Sequence, residues 1–97
     1  MTTLHVLSHS PFSDSRFDSC LRLLGAHDGL LLSGDAVYAL QPGTAALAAL
    51  EQRQLRLYAL AEDLEARGLQ ATAQVAALDY PAFVQLTLDY DKVNSWL

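Results

Sequence analysis

Residues 3–33 read TLHVLSHSPFSDSRFDSCLRLLGAHDGLLLS, and the fold turns on whether this stretch is strand, helix, strand. Thr3 to Ser8 form a short apolar run, and SPFSDS after it supplies turn and capping residues, as at the end of a buried strand. Apolar residues then recur at Phe17, Cys20, Leu21 and Leu24, the i, i+3, i+4, i+7 stripe of a helix with one face in a core. Ser15 with Asp18 three residues later resembles a capping box in which Asp replaces Glu. GLLLS, Gly29 to Ser33, is a second apolar run, closed by Gly34 and Asp35.

The alternation continues to the end of the chain. Ala36 to Leu40 fits either a short strand or one helical turn, and Pro42 and Gly43 stop it. Thr44 is placed to cap an alanine- and leucine-rich helix, and LRLYAL (residues 55–60) follows as a buried strand. AEDLEARGL is a short helix closed by Gly68; QVAALDY (residues 74–80) is a fourth strand, and Pro81 sits in the first turn of a last helix. Strand and helix in strict succession predict an α/β fold in one domain spanning residues 1–97, with a mostly parallel sheet of four to five strands flanked by helices in Rossmann-like layering. Strands this continuously apolar imply that both faces of the sheet are covered.

Composition narrows the function classes. The 97 residues are 52% hydrophobic and only 18% charged, with mean hydropathy +0.16, oily for a domain this small. Burying that surface in a homo- or hetero-oligomer is the expected outcome. Eleven acidic against six basic residues give a formal charge of −5, and the basic residues are scattered, so direct binding to nucleic acid or an anionic membrane is not expected. No apolar run reaches a membrane span, no signal-peptide pattern opens the chain, and one cysteine makes no internal disulfide; a reducing cytoplasm fits all three.

Sites in open parallel sheets gather beyond the carboxyl ends of the strands. Those ends present Ser8, His9 and Ser10, then Gly34 and Asp35, then Glu62 and Asp63, then Asp79 and Tyr80, with no glycine-rich phosphate cradle among them. No cofactor is expected. Asp35, Asp63 and Asp79 have the chemistry to hold Mg²⁺, but short acidic residues after strands more often cap the next helix, and no histidine spacing suits zinc, so no metal is expected either. His5 alternates with Leu4 and Val6 and is read as a hydrogen-bonded core or interface histidine. Cys20 has two readings. It is a small hydrophobe on the buried stripe, or a nucleophile whose thiol is activated by Arg16 one turn earlier. Tyr90, Val93, Trp96 and Leu97 crowd the carboxyl end with apolar groups, which either pack back on the sheet or insert into a partner; Tyr90, Trp96 and Leu97 are the candidate interface residues.

LHVLSHSPF, SCLRLL, GLLLSGDAVYAL, LYALAEDLEARGL, LDYPAFVQLT and VNSWL together resemble the TusB/DsrH family, small sulfur-relay subunits of the DsrE-like fold, over nearly the whole chain. The resemblance implies a cytoplasmic complex with TusC-like and TusD-like sister chains that passes on persulfide sulfur. In the Tus branch that sulfur reaches the 2-thio group of the wobble uridine of transfer RNA; in the Dsr branch it serves sulfur oxidation. It also implies that the principal carrier is a cysteine of the TusD-like sister, leaving Cys20 as a candidate persulfide acceptor of secondary rank or a packing residue. The competing classes are a stand-alone small α/β enzyme and an interaction module.

Overall fold

The computed structural model describes residues 1–96; Leu97, one of the candidate interface residues, lies outside them. The strands are β1 (Thr3–Leu7), β2 (Gly29–Leu32), β3 (Arg56–Leu60), β4 (Val75–Leu78) and β5 (Lys92–Trp96). The helices are α1 (Arg16–Leu23), α2 (Ala45–Glu51), α3 (Ala61–Ala66) and α4 (Tyr80–Thr87), with a 3-10 helix over Gly34–Leu40. All five strands are parallel, in the order β4-β3-β2-β1-β5. The chain therefore steps outward from β1 to β4 and returns to lay β5 on the free edge of β1.

That return decides which helix covers which face. Right-handed crossovers running in opposite directions place their helices on opposite sides of a sheet. Accordingly Phe17, Cys20 and Leu21 of α1, Leu47 and Leu50 of α2, Leu64 of α3 and Val37 and Leu40 of the 3-10 helix share one core with Leu7, Leu30, Leu32, Leu57 and Ala59 of the sheet. On the other face α4 stands alone: Phe83 and Leu86 pack toward Leu4, Leu31, Tyr58 and Tyr90, and no residue of α4 is buried. The expectation that both faces are covered thus holds for one; Val6, Tyr58, Leu60 and Leu78 on the second remain half-buried.

Local chemistry matches most boundaries. Thr44 Oγ1 accepts from Leu47 N at 3.3 Å to open α2, and Asp79 Oδ1 accepts from Ala82 N at 2.9 Å to open α4. Gly68, at φ 65°, closes α3 with bonds from Gly68 N to Glu65 O (3.2 Å) and Leu69 N to Leu64 O (2.9 Å), a Schellman arrangement. The capping box at Ser15 does not form. Ser15 makes no side-chain cap, and Asp14 instead accepts from Arg16 N at 2.9 Å and pairs with the Arg16 guanidinium. The open segment 36–40 resolves as 3-10 helix, its Ala36, Val37, Ala39 and Leu40 buried.

Candidate functional site

Beyond the carboxyl ends of the strands, the acidic residues go separate ways. Asp63 Oδ2 accepts from Gly34 N at 2.8 Å, tying α3 to the start of the 3-10 helix. Gly34 has φ 52° there, a conformation that favours glycine. Arg67 reaches Asp35 Oδ1 at 2.9 Å and Asp63 Oδ1 at 3.5 Å, with its guanidinium 5.7 Å from the Tyr38 ring centre. Asp79 caps α4. The three carboxylates weighed as cation ligands are therefore spent on a helix start, an ion pair and a cap, and among the described residues no three His, Cys, Asp or Glu side chains are grouped to hold a metal. Ser8 Oγ lies 3.5 Å from His9 Nδ1 in the exposed loop after β1.

Cys20 points inward from α1 and is completely buried. Burial pushes its thiol from 9.0 up to about 12; the positive charge of Arg53 opposes this and the negative charge of Asp28 adds to it. Arg16, the cation proposed from spacing, is not among the causes, since its guanidinium turns to Asp14. A thiol pushed this far up stays protonated near neutral pH, and the thiolate is the form that attacks sulfur.

Tyr90 and Trp96, near the carboxyl end, pack back on the sheet. Tyr90 is 9% exposed, its hydroxyl 3.2 Å from that of Tyr58 and its ring over Gly29. Burial, with the Tyr58 hydroxyl beside it, pushes the phenol from 10.0 up to about 12. Of the two uses open to the apolar carboxyl-terminal residues, Tyr90 makes the internal one within this chain. Trp96 is half-buried: its Nε1 donates to His5 Nδ1 at 3.0 Å, with the rings 6.1 Å apart and tilted by 38°.

The sequence offered no sign of what lies on the other side of that histidine. His5 is 5% exposed, and its Nε2 stands 3.4 Å from Asp28 Oδ2. Asp28 also accepts from Thr3 N at 3.0 Å and Gly25 N at 2.9 Å. Burial works to raise the Asp28 carboxyl, but the Gly25 and Thr3 amides and His5 outweigh it and hold the group below the usual carboxylate range. An aspartate directly before a strand reads as a turn residue, so only the fold reveals that Asp28, His5 and Trp96 form one chain of contacts across β2, β1 and β5.

Exposed apolar residues concentrate around α4 and β5. Tyr80 (59%), Val84 (45%), Leu88 (73%) and Val93 (45%) stand on that side, with Tyr80 and Phe83 in an edge contact at 5.8 Å. Phe12 and Leu23 are further exposed positions. No helix among the described residues is long and apolar enough to cross a membrane.

Known proteins give this geometry its context. The family described as DsrH like protein matches residues 9–93. Protein TusB of Erwinia tasmaniensis is 41% identical over 95 residues, covering 96% of this chain and 99% of that one. Protein TusB of Escherichia coli O139:H28 is 40% identical over the same span and coverage. Among solved structures, the crystal structure of the ychN protein from E. coli superposes with a TM-score of 0.78 over 99% of this chain and 100% of that one; at 20% identity it establishes the five-stranded fold alone. Matched by the family over most of its length, and about two-fifths identical to TusB proteins from end to end, the chain belongs to the DsrH-like family.

Proposed function

We propose that this chain is an accessory subunit of a cytoplasmic sulfur-relay complex, assembled with TusC-like and TusD-like sister chains and serving 2-thiolation of the wobble uridine of transfer RNA. The observation that carries the reading is the end-to-end identity with TusB proteins, which favours the transfer-RNA branch over the sulfur-oxidation branch. The buried thiol supports an accessory role for the subunit. Persulfide transfer forms a new S–S bond to an acceptor thiolate, breaks the old one and returns a thiolate to the donor, so an acceptor must be ionised and reachable. Cys20 is neither. Apolar residues around α4 offer surface for the sister chains, and a charge of −5 leaves transfer RNA to a downstream enzyme.

Co-expression with TusC-like and TusD-like chains tests this. The three should co-purify, and mass spectrometry of transfer RNA should show 2-thiouridine restored in a strain lacking its own TusB. A Cys20→Ser complex is expected to assemble and to keep most of that thiolation. Failure to co-purify refutes the assembly; complete loss of thiolation in an intact mutant complex makes Cys20 a carrier.

A further inference from the structure

β5 is bound to the domain in an unusual way. Lys92 to Ser95 are exposed, and Trp96 is the one half-buried residue of the strand; beyond the backbone ladder to β1 it packs against the main core, while Asp91 just before the strand is bonded to Thr2. The indole Nε1–H can only donate. Its partner, His5 Nδ1, must therefore present a lone pair, which puts the ring proton on Nε2, facing Asp28 Oδ2 at 3.4 Å.

We propose that His5 is a proton-operated latch on the carboxyl-terminal strand: with Nδ1 unprotonated it holds the Trp96 indole, and with Nδ1 protonated it releases the indole while keeping Asp28. An imidazolium has two N–H donors and no acceptor, so the second proton sets a donor against the Trp96 donor at 3.0 Å and strengthens the contact with the carboxylate on the other side. Among the described residues, the surrounding charges favour that outcome or stand aside. Asp28, in the turn before β2, keeps its negative charge because two amides and His5 bond it. Arg53, after α2, is held by Leu21 O at 2.6 Å; Cys20 of α1 is a neutral thiol. Lys92 lies on the His5 side of β5 but is exposed, and Asn94, the register partner of His5, is uncharged.

Trp96 is the chain's one tryptophan, so its indole gives a single ¹⁵N–¹H resonance. The pH of the intact chain is lowered stepwise until the His5 ring carbons report that the imidazole has taken its second proton. As His5 takes its proton, the indole resonance should lose its hydrogen-bonded shift on the same curve. Its exchange with water should quicken about fivefold, the factor that a net bond of about 1 kcal/mol is worth. Asp28→Asn removes the charge that favours imidazolium, and should move both curves to lower pH together. An indole resonance that stays in place while His5 titrates, or an Asp28→Asn chain in which the His5 curve moves without the Trp96 curve, overturns the proposal.

Discussion

Gly29→Ala is the smallest change that should test the α4 side of the core. Gly29 opens β2 opposite Leu4 of β1 and Arg56 of β3. A Cβ there would stand 2.3 Å from Tyr90 Oη, 2.8 Å from Tyr90 Cζ and 3.2 Å from Leu4 Cδ1. Carbon contacts are comfortable at about 3.5 Å or more, so the phenol must retreat by at least about 1 Å. Tyr90 is 9% exposed and bonded to Tyr58, which leaves it little room and puts that bond at stake. Overpacking of this kind costs about 1–3 kcal/mol and loss of the hydroxyl pair about 1 kcal/mol, against which alanine returns about 0.4–1 kcal/mol by restricting the unfolded chain. A net loss of about 2 kcal/mol should lower the urea midpoint by about 1–2 M, read from Trp96 fluorescence at fixed protein concentration. The decisive arm is Tyr90→Ala, which removes the obstructing ring. In that background Gly29→Ala should be neutral or slightly stabilising, a coupling of at least about 1 kcal/mol. Tyr90→Phe should rescue only in part, since Cζ remains at 2.8 Å. If the two substitutions add independently, the Gly29–Tyr90 contact does not set the packing of this face.

Four further outcomes follow from the same geometry. Cys20 should resist iodoacetamide in the native chain and react freely in urea, and a native rate matching the unfolded one would contradict its burial. Tyr90 and Cys20 both hold their protons longer when folded, up to about 12 against 10.0 and 9.0 unfolded. The unfolded chain therefore sheds protons first as pH rises, stability should fall between about pH 9 and 12, and Tyr90→Phe and Cys20→Ala should each flatten that fall in urea titrations; unchanged slopes would refute it. Asp28 works at the other end. Its folded carboxyl ionises at lower pH than the unfolded one, so its stabilisation is complete above about pH 4 and lost as pH drops through the folded value, and the difference between the wild type and Asp28→Asn should shrink on acidification. Asp79→Ala should cost about 1 kcal/mol by uncapping α4, seen as a lower thermal midpoint, and an unchanged midpoint would show that the Ala82 amide finds another acceptor.

Much of the architecture was fixed by local pattern. The Phe17, Cys20, Leu21 and Leu24 stripe, the apolar runs at β1, β2 and β3, the Thr44 cap and the Gly68 close are statements about neighbours within a turn or two, and the helical period or a lone hydroxyl is enough to make them. Even the inward side of Cys20 was legible, because a residue's place on a helical stripe depends only on its spacing from the others. Family membership, too, was readable from motifs spread over the whole chain.

What the tertiary structure alone decided concerns residues whose partners are far away in the chain. KVNSW has no apolar run of its own, and it becomes a strand because the reversed crossover delivers it to β1, which it meets 89 residues from Thr3. That same reversal isolates α4 on one face and leaves the second side of the sheet half-covered. Residues 36–40 fit two local shapes, and burial between β2, α2 and α3 selected the 3-10 form. Asp28 joins His5 and Trp96 only once three strands lie side by side. Period and capping act over a few residues, whereas strand order, face and hydrogen-bond partner are set when distant segments compete for the same buried surface.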